Sequence, residues 1–351
     1  HRHKTFRLTA FNHTVHSSSL ATDLEGSFME RISISEAAFQ LTLRDFKEAA
    51  SRISNDIIET PLLPFEFPDR KLMLKAECLQ ELGSFKIRAG ANAIESANEE
   101  DLLNGVITAS AGNFGQGVAK AAKNRGLPVH VIVPETAAKV KVEALLNLGA
   151  KVTAVPFSDW WAVMTTRSTG LNGFFIHPVA ELEVIIGNGG IGLEISSQCP
   201  DVDVIVVPFG GGGMISGIAL AMKALGKKPH IIACEIETST PLKSAKSKGK
   251  PINVTRGESW IDGIGSTSVL PEMWPLLDEL VDDVIVVSHL EAEEALRSLS
   301  SKAHLVSEGA GAVALAAAMK PQFSGKNIVA VISGGNIDPK TYGEILNNSH
   351  S

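Results

Sequence analysis

The sequence is poor in cysteine and has no long apolar run. Its three cysteines, Cys78, Cys199 and Cys234, are far apart and odd in number. They form no zinc-binding spacing, and such a scattered set suits packed thiols in a reducing compartment. No apolar stretch approaches the roughly 18 residues of a membrane-spanning helix. The sequence therefore predicts a cytoplasmic protein without a membrane segment.

An excess of positive charge is also absent. The formal net charge is −7, from 32 Lys and Arg against 39 Asp and Glu. This balance favours solubility and argues against a nucleic-acid partner. With 351 residues, 44% of them hydrophobic, the chain is long enough for two domains or one large one. It contains neither a repeat of fixed period nor a low-complexity linker.

The first 28 residues look separate from the rest of the chain. They contain four histidines, a run of three serines and little apolar periodicity. We interpret residues 1–28 as a disordered lead or the remnant of an added sequence, with Met29 as a candidate natural start.

Short apolar strands alternate with helical segments over most of the remaining chain. Strands are expected near 71–76, 105–109, 129–133, 151–155, 202–207, 230–235, 283–287 and 327–332. Helices of ordinary length separate most of them, which predicts βαβ units and parallel sheets. We expect an α/β fold of two lobes, each an open, largely parallel sheet wrapped by helices. The breaks between the lobes fall near residues 105 and 175.

Lys86 is the residue around which the candidate site is organised. It lies between Phe85 and Ile87, in a segment with turn residues on both sides. A lysine among apolar neighbours loses solvation, which lowers the pKa of its amine and makes it a better nucleophile. Such amines form Schiff bases with aldehyde cofactors. Taken alone, the segment also suits a surface lysine at the start of a helix.

Three further loops each follow an apolar strand, which is where ligands bind in open α/β sheets. The four consecutive glycines of 210–213 leave backbone N–H groups unobstructed before a helix, as a phosphate requires. The segment 110–113 offers hydroxyl, amide and N–H donors for a carboxylate or a phenolate oxygen. Ser333 ends the last strand, where its hydroxyl can face an aromatic nitrogen.

Each of these loops has a simpler alternative. The glycines suit a tight turn, Ser110 suits a helix cap, and Ser333 suits a turn after a strand. In addition, Gly211, Gly213 and Gly217 loosely match a dinucleotide-binding fingerprint. A nicotinamide oxidoreductase and a cofactor-binding protein without turnover therefore stay open beside an enzyme with an aldehyde cofactor.

Four motifs occur in a fixed order: SFKIR at 84–88, SAGN at 110–113, GGGGM at 210–214 and SGGN at 333–336. Together they resemble the pyridoxal-phosphate-dependent serine/threonine dehydratase family of fold type II, which also includes serine racemase. The resemblance extends from about residue 40 to about residue 345. It implies pyridoxal 5′-phosphate in a cleft between a large cofactor domain, 29–104 with 176–345, and a small mobile domain, 105–175.

The resemblance also implies roles for individual residues. Lys86 matches the lysine that binds the cofactor as a Schiff base and transfers the catalytic proton. The other expected cofactor contacts are Phe85, Asn113, Gly210, Gly211, Gly212, Gly213, Met214 and Ser333. The expected substrate contacts are Ser110, Ala111, Gly112 and Asn113. Glu308 is similar to a carboxylate near the cofactor, with an acid at a helix start as the equal alternative.

The implied reaction is that of an ammonia-lyase. A β-hydroxy amino acid such as L-threonine or L-serine would lose its β-hydroxyl and yield a 2-oxo acid and ammonia. Racemisation is the alternative, and the racemase pattern resembles Ser-Ser-Gly-Asn, whose second serine donates a proton. Ala111 occupies that position here and cannot donate one. Phe114 replaces the histidine usual after the asparagine, so a bulkier substrate such as phenylserine or hydroxyaspartate also stays open.

The resemblance raises a metal site and an assembly as well. In the racemase branch, an acid at the end of the strand that Glu235 closes binds Mg²⁺ or Ca²⁺ with a second acid a few residues on. Pro241 falls near that second position, and Glu237 lies close by. We therefore assign no metal site and keep Glu235 as the candidate ligand of a divalent cation. A homodimer acting on a small amino acid is expected by analogy.

Overall fold

The computed structural model describes residues 33–348. The predicted lead at 1–28 and the candidate start at Met29 lie outside the described residues. Within that range the chain forms fourteen α-helices and ten β-strands. None of the described helices combines the length and the apolar character that crossing a membrane requires.

The elements are numbered in chain order. The helices are α1 (Ile34–Phe39), α2 (Leu43–Arg52), α3 (Lys86–Glu95), α4 (Glu99–Leu102), α5 (Asn113–Asn124), α6 (Lys139–Asn147), α7 (Phe157–Thr166), α8 (Leu182–Gln198), α9 (Gly213–Ala224), α10 (Pro241–Lys248), α11 (Trp274–Leu280), α12 (His289–Lys302), α13 (Gly309–Ala318) and α14 (Pro339–Asn347). The strands are β1 (Leu62–Phe65), β2 (Lys71–Lys75), β3 (Val106–Ala109), β4 (Val129–Pro134), β5 (Lys151–Val155), β6 (Phe174–Phe175), β7 (Val204–Pro208), β8 (His230–Ile236), β9 (Asp283–Val287) and β10 (Asn327–Val331).

The strands form two sheets. The larger has the order β1-β2-β10-β7-β8-β9 and is parallel except for the β1–β2 pair. The smaller has the order β5-β4-β3-β6 and is parallel throughout. This architecture confirms the predicted α/β fold with largely parallel sheets. The four strands of the smaller sheet all lie between residues 105 and 175, while the domain limits themselves stay a prediction.

Two helices begin at candidate site residues. Helix α5 starts at Asn113. Residue 115 in its first turn must be glycine, because a Cβ there would lie 2.1 Å from the carbonyl oxygen of Ser110. Helix α3 starts at Lys86. Both candidate residues therefore lie at helix N-termini.

Helix α3 is held between α5 and α8 by direct backbone contact. A Cβ at Gly117 of α5 would lie 2.7 Å from the carbonyl oxygen of Lys86. A Cβ at Gly187 of α8 would lie 2.6 Å from the carbonyl oxygen of Arg88. Ile87 and Ile94 of α3 share one hydrophobic cluster with the smaller sheet. The helix that carries Lys86 thus packs against the smaller sheet although it precedes that sheet in the chain.

The other side of α3 is fixed by a buried ionic network. The guanidinium of Arg88 donates to both carboxylate oxygens of Glu77, each at 2.8 Å, and to Glu194 at 2.6 and 2.9 Å. Lys75 of β2 donates to the same Glu194 and to the carbonyl oxygen of Thr60. The side chains of Arg88, Glu77 and Lys75 are fully buried. Two positive and two negative charges therefore neutralise each other between α3, α8 and the larger sheet.

All three cysteines are free and buried. Burial raises the pKa of the Cys78 thiol to about 12 and raises the pKa of Cys234 well above its usual value. Their thiols are therefore protonated and shielded at neutral pH, in agreement with the packed thiols expected from the sequence.

We expect Arg88→Ala to lower the free energy of unfolding by about 3–5 kcal/mol, because it leaves the carboxylate of Glu77 buried and unpaired. Arg44→Ala is the matched control, since Arg44 pairs with Glu48 on the surface and exposed pairs contribute about 1 kcal/mol or less. Urea denaturation of both variants measures the difference. A loss for Arg88→Ala no larger than that of the control would show that the network does not stabilise the fold.

Candidate active site

The candidate residues follow the carboxyl ends of strands in both sheets. The segment 110–113 follows β3, the glycines 210–213 follow β7, and Ser333 follows β10. Because β7 and β10 are parallel neighbours, the glycines and Ser333 come from adjacent strand ends. The segment that follows β3 in the smaller sheet is joined to them through the side chains of Asn113, the first residue of α5, and Glu308, which precedes α13.

Lys86 is anchored to the end of β10. The backbone N–H of Phe85 donates to the carbonyl oxygen of Ser333 at 3.1 Å, and Ser84 forms an isolated bridge with Gly334. The amine of Lys86 lies 4.7 Å from the ring centre of Phe85 and 5.6 Å from that of Phe114. Burial lowers the pKa of Lys86 to about 8, an effect that the negative charge of Glu308 partly opposes. Near pH 7, part of the Lys86 population therefore carries an uncharged amine that can act as a nucleophile.

Glu308 connects the two sides of the cleft. The side-chain amide of Asn113 donates to its two carboxylate oxygens at 2.9 and 3.1 Å. The amide of Asn336 donates in turn to Oδ1 of Asn113 at 2.9 Å. Burial raises the pKa of Glu308 to about 7, although the bond from Asn113 acts in the opposite direction. Both SAGN and SGGN thus contribute their asparagine to one network.

The glycine-rich loop presents unpaired donors. The backbone N–H groups of residues 210–214 make no hydrogen bond to another backbone group of the described chain outside regular elements. Gly212 has φ +99°, which favours glycine, and a Cβ at Gly211 would lie 2.4 Å from Cγ2 of Val179. Together with the N-terminus of the twelve-residue α9, these donors fit a phosphate group. The side chain of Met214 lies in the core, so only its backbone can contribute.

Two buried polar groups next to this loop lack a partner. Oδ1 of Asn188 and Oγ of Ser216 form no hydrogen bond with the described residues. Asn188 belongs to α8 and Ser216 to the first turns of α9, and they are 2% and 0% exposed. An unpaired buried polar group costs about 1–3 kcal/mol. A ligand or an ordered water beside α9 would relieve that cost.

The turn at 177–180 supports the glycine-rich loop and was missed in the sequence. Nδ1 of His177 accepts the N–H groups of Val179 at 3.1 Å and Ala180 at 2.8 Å, while its Nε2 donates to the carbonyl oxygen of Met164. Burial lowers the pKa of His177 to about 4, which keeps the ring neutral as this pattern requires. The turn places Val179 against Gly211. The sequence feature that could have indicated this turn is a histidine followed by a proline shortly after β6.

The loop before α11 was also missed. Its Gly263 lies between the two halves of the site: a Cβ there would be 3.4 Å from Oε1 of Glu308, and its carbonyl oxygen is 3.4 Å from the Cβ position of Gly210. Ser266 donates to the carbonyl oxygen of Gly210 at 3.1 Å. The preceding Asp262 pairs with Lys141 of α6. This loop thus contacts the glycines, Glu308 and helix α6. It contains no recognisable motif, so the sequence did not indicate its place in the site.

Glu235 has a different role from the metal ligand considered above. Its two carboxylate oxygens accept the N–H groups of Leu242 at 2.7 Å and Lys243 at 3.0 Å, at the start of α10. Pro241 is the first residue of that helix and offers no side-chain oxygen. Glu237 accepts instead from His289. Among residues 33–348 no group of three His, Cys, Asp or Glu side chains is placed to hold a metal, so the geometry does not support a cation at Glu235.

Comparison with known proteins identifies the family. The family described as "Pyridoxal-phosphate dependent enzyme" matches residues 53–334. The chain belongs to this family. Within it, the chain is 36% identical to the L-threonine ammonia-lyase of Thermotoga maritima over 88% of this chain and 78% of that protein. It is also 36% identical to the serine racemase of Arabidopsis thaliana, over 83% of this chain and 92% of that one.

Solved structures agree with this assignment. The maize serine racemase superposes with a TM-score of 0.79 and 32% identity, covering 86% of this chain and 96% of that one. The resemblance seen in the four motifs is therefore confirmed, and pyridoxal phosphate is the cofactor of the family. The contacts of individual residues with the cofactor and the substrate stay predictions, although Lys86, Asn113, Glu308 and Ser333 do lie together.

We expect the stability of the cofactor-free protein to depend on pH through Glu308. Its pKa rises from 4.5 to about 7 on folding, so the folded state binds an extra proton between these values. The free energy of unfolding should therefore decrease as the pH rises from about 4.5 to about 7. Glu308→Gln should weaken this dependence in urea denaturation at pH 5 and pH 7.5. The exposed Glu100→Gln should not, and equal slopes for both variants would contradict the assignment.

Proposed function

We propose that this protein is a pyridoxal-phosphate-dependent ammonia-lyase. It would act on L-threonine or L-serine, remove the β-hydroxyl group and release a 2-oxo acid and ammonia. The observation that carries the proposal is the position of Lys86, an amine with a pKa of about 8, anchored beside Ser333 and facing the Asn113–Glu308 network. The relative named L-threonine ammonia-lyase supports the same reaction.

The residues present fit the cofactor. The N–H groups of 210–214 would hold its phosphate, Ser333 would face its ring nitrogen, Asn113 its ring oxygen and Lys86 its aldehyde carbon, with Phe85 beside the ring. When bound, pyridoxal phosphate accepts the electron pair left behind when the α-proton of the substrate is removed.

Lys86 supplies the base for that proton. Its Nζ would take the α-proton of the substrate, because a pKa of about 8 lies close to the working pH. The neighbouring carboxylate of Glu308 favours the resulting ammonium group. Ser333 carries no charge, so unlike a carboxylate it would not keep the ring nitrogen protonated. The ring would then stabilise negative charge on the substrate less well. This favours prompt loss of the β-hydroxyl over reactions in which that negative charge must persist.

The segment 110–113 orients the substrate. It precedes α5, a helix of twelve residues, whose free N-terminal N–H groups attract a carboxylate. The hydroxyl of Ser110 accepts the N–H of Gly112 at 3.3 Å, which shapes the loop. We infer that the small domain, 105–175, moves onto the bound substrate. The contacts Asn113–Glu308 and Lys141–Asp262 reach across the cleft and support this closure.

Racemisation is the second candidate, because the Arabidopsis relative named serine racemase is equally similar. Ala111 argues against it, since its methyl group cannot donate a proton to the opposite face of the substrate. A bulkier hydroxy amino acid is a variant of the first candidate, favoured by the apolar ring of Phe114 near Lys86. The homodimer and the cytoplasmic location expected from the sequence belong to the same proposal.

We expect the purified protein to show an absorption band at about 410 nm, as imines of this cofactor with lysine do. Borohydride should remove the band, and Lys86→Ala should lack it because no amine is left to attach the cofactor. Addition of L-threonine or L-serine should release a 2-oxo acid, measured by coupled reduction. Lys120→Ala is the control, since Lys120 pairs with Glu81 away from the proposed attachment atom. A full band in Lys86→Ala would sink the proposal.

We expect Ala111→Ser to gain D-serine formation from L-serine, because the new hydroxyl can donate a proton to the second face. The unmodified protein should produce at least about tenfold less, corresponding to about 1.4 kcal/mol in barrier height. Chiral chromatography of the product measures this, with Ala111→Gly as the control, since glycine also has no proton to donate. Abundant D-serine from the unmodified protein would show that Ala111 does not prevent racemisation.

A further inference from the structure

Asn188 lies beside the first turn of α9, next to the glycine-rich loop. Its Cβ is 3.0 Å from the position that a Cβ at Gly217 would take, and its Nδ2 is 3.7 Å from the corresponding position at Gly213. The side chain therefore runs along α9 toward its N-terminus. It is 2% exposed, and its Oδ1 has no partner among the described residues.

Helices α8 and α9 are in direct contact beside Asn188. At Gly217 a Cβ would lie 2.4 Å from the carbonyl oxygen of Ile185, so the two backbones touch. The carboxamide of Asn188 extends beyond this contact to the level of Gly213, where the free N–H groups of the loop begin. Most buried polar groups in native proteins are paired, so an unpaired one beside a candidate site is a place where an ordered water or a ligand group can bind.

We propose that Asn188 is part of the phosphate site, where its Nδ2, the atom that faces Gly213, donates to the phosphate ester of the cofactor directly or through one held water, while its Oδ1 accepts from a water. This inference rests on the proposed phosphate site at 210–213. The amide is a neutral donor on the side of α9 that the backbone N–H groups do not cover. It would add a hydrogen bond to a charged group without adding a positive charge to the site.

The test compares a ligand with and without the phosphate. The full chain carrying Asn188→Leu, stripped of cofactor, is titrated with pyridoxal phosphate and with pyridoxal. We expect the Kd for pyridoxal phosphate to rise about tenfold or more, as for one lost hydrogen bond to a charged group. The Kd for pyridoxal should change less than about twofold.

A second readout separates binding from packing. Because leucine removes an unpaired buried amide, the cofactor-free variant should unfold at a temperature equal to or above that of the unmodified chain. Ser216→Ala is the matched control: it also removes an unpaired buried group from α9, but its N–H already bonds to Gly212, so it lies beyond the free donors. That control should keep its affinity for pyridoxal phosphate.

The outcomes distinguish this inference from the proposed function. Should Asn188→Leu fold poorly, the isosteric Asn188→Asp must still lose pyridoxal phosphate more than pyridoxal, because its charge repels the phosphate. Unchanged affinity in a folded variant, equal losses for both ligands, or an equal loss in Ser216→Ala would overturn the role of Asn188 alone. Failure of the unmodified chain to bind pyridoxal phosphate would overturn the proposed function together with it.

Discussion

The close contact of α3 with its two neighbouring helices is the constraint on which the rest of the site depends. Glycines at 117 and 187 bring the backbones of α5 and α8 onto the carbonyl groups of Lys86 and Arg88. The guanidinium of Arg88 then ties the same turn to Glu77 and Glu194. Neither restraint touches the amine of Lys86, yet both fix the direction in which it leaves the helix.

The site relies on backbone donors and burial more than on charged side chains. The glycine-rich loop offers a phosphate its N–H groups and a helix N-terminus, and no lysine or arginine lies within residues 210–214. A cationic cluster there would hold the phosphate too but would lower the pKa of Lys86 further through repulsion. Instead burial lowers the pKa of Lys86, and the negative charge of Glu308 partly opposes that shift. In the proposed site, cofactor binding and base strength would thereby depend on separate groups.

The sequence predicted those parts of the molecule that local patterns determine. Alternating apolar strands predicted parallel sheets, and four ordered motifs predicted the family. The need for glycine at 115 could not be predicted, because it comes from the carbonyl oxygen of Ser110, which lies 2.1 Å from the position of a Cβ there. Glu235 was considered as a metal ligand because, in the racemase branch that the motifs resemble, an acid at the end of this strand binds a divalent ion. Its partner here is the start of α10, which only the tertiary structure brings into reach.

The burial of Cys78, Cys199 and Cys234 has a practical consequence for testing the proposed movement of the small domain. Protonated thiols inside the core react slowly with maleimides. A cysteine introduced at an exposed position on each sheet's outer helices would therefore carry a fluorophore selectively, without first removing the native cysteines. Distances between two such dyes, followed while an amino acid is added, would show whether the proposed movement of the small domain takes place in a protein that keeps its native cysteines.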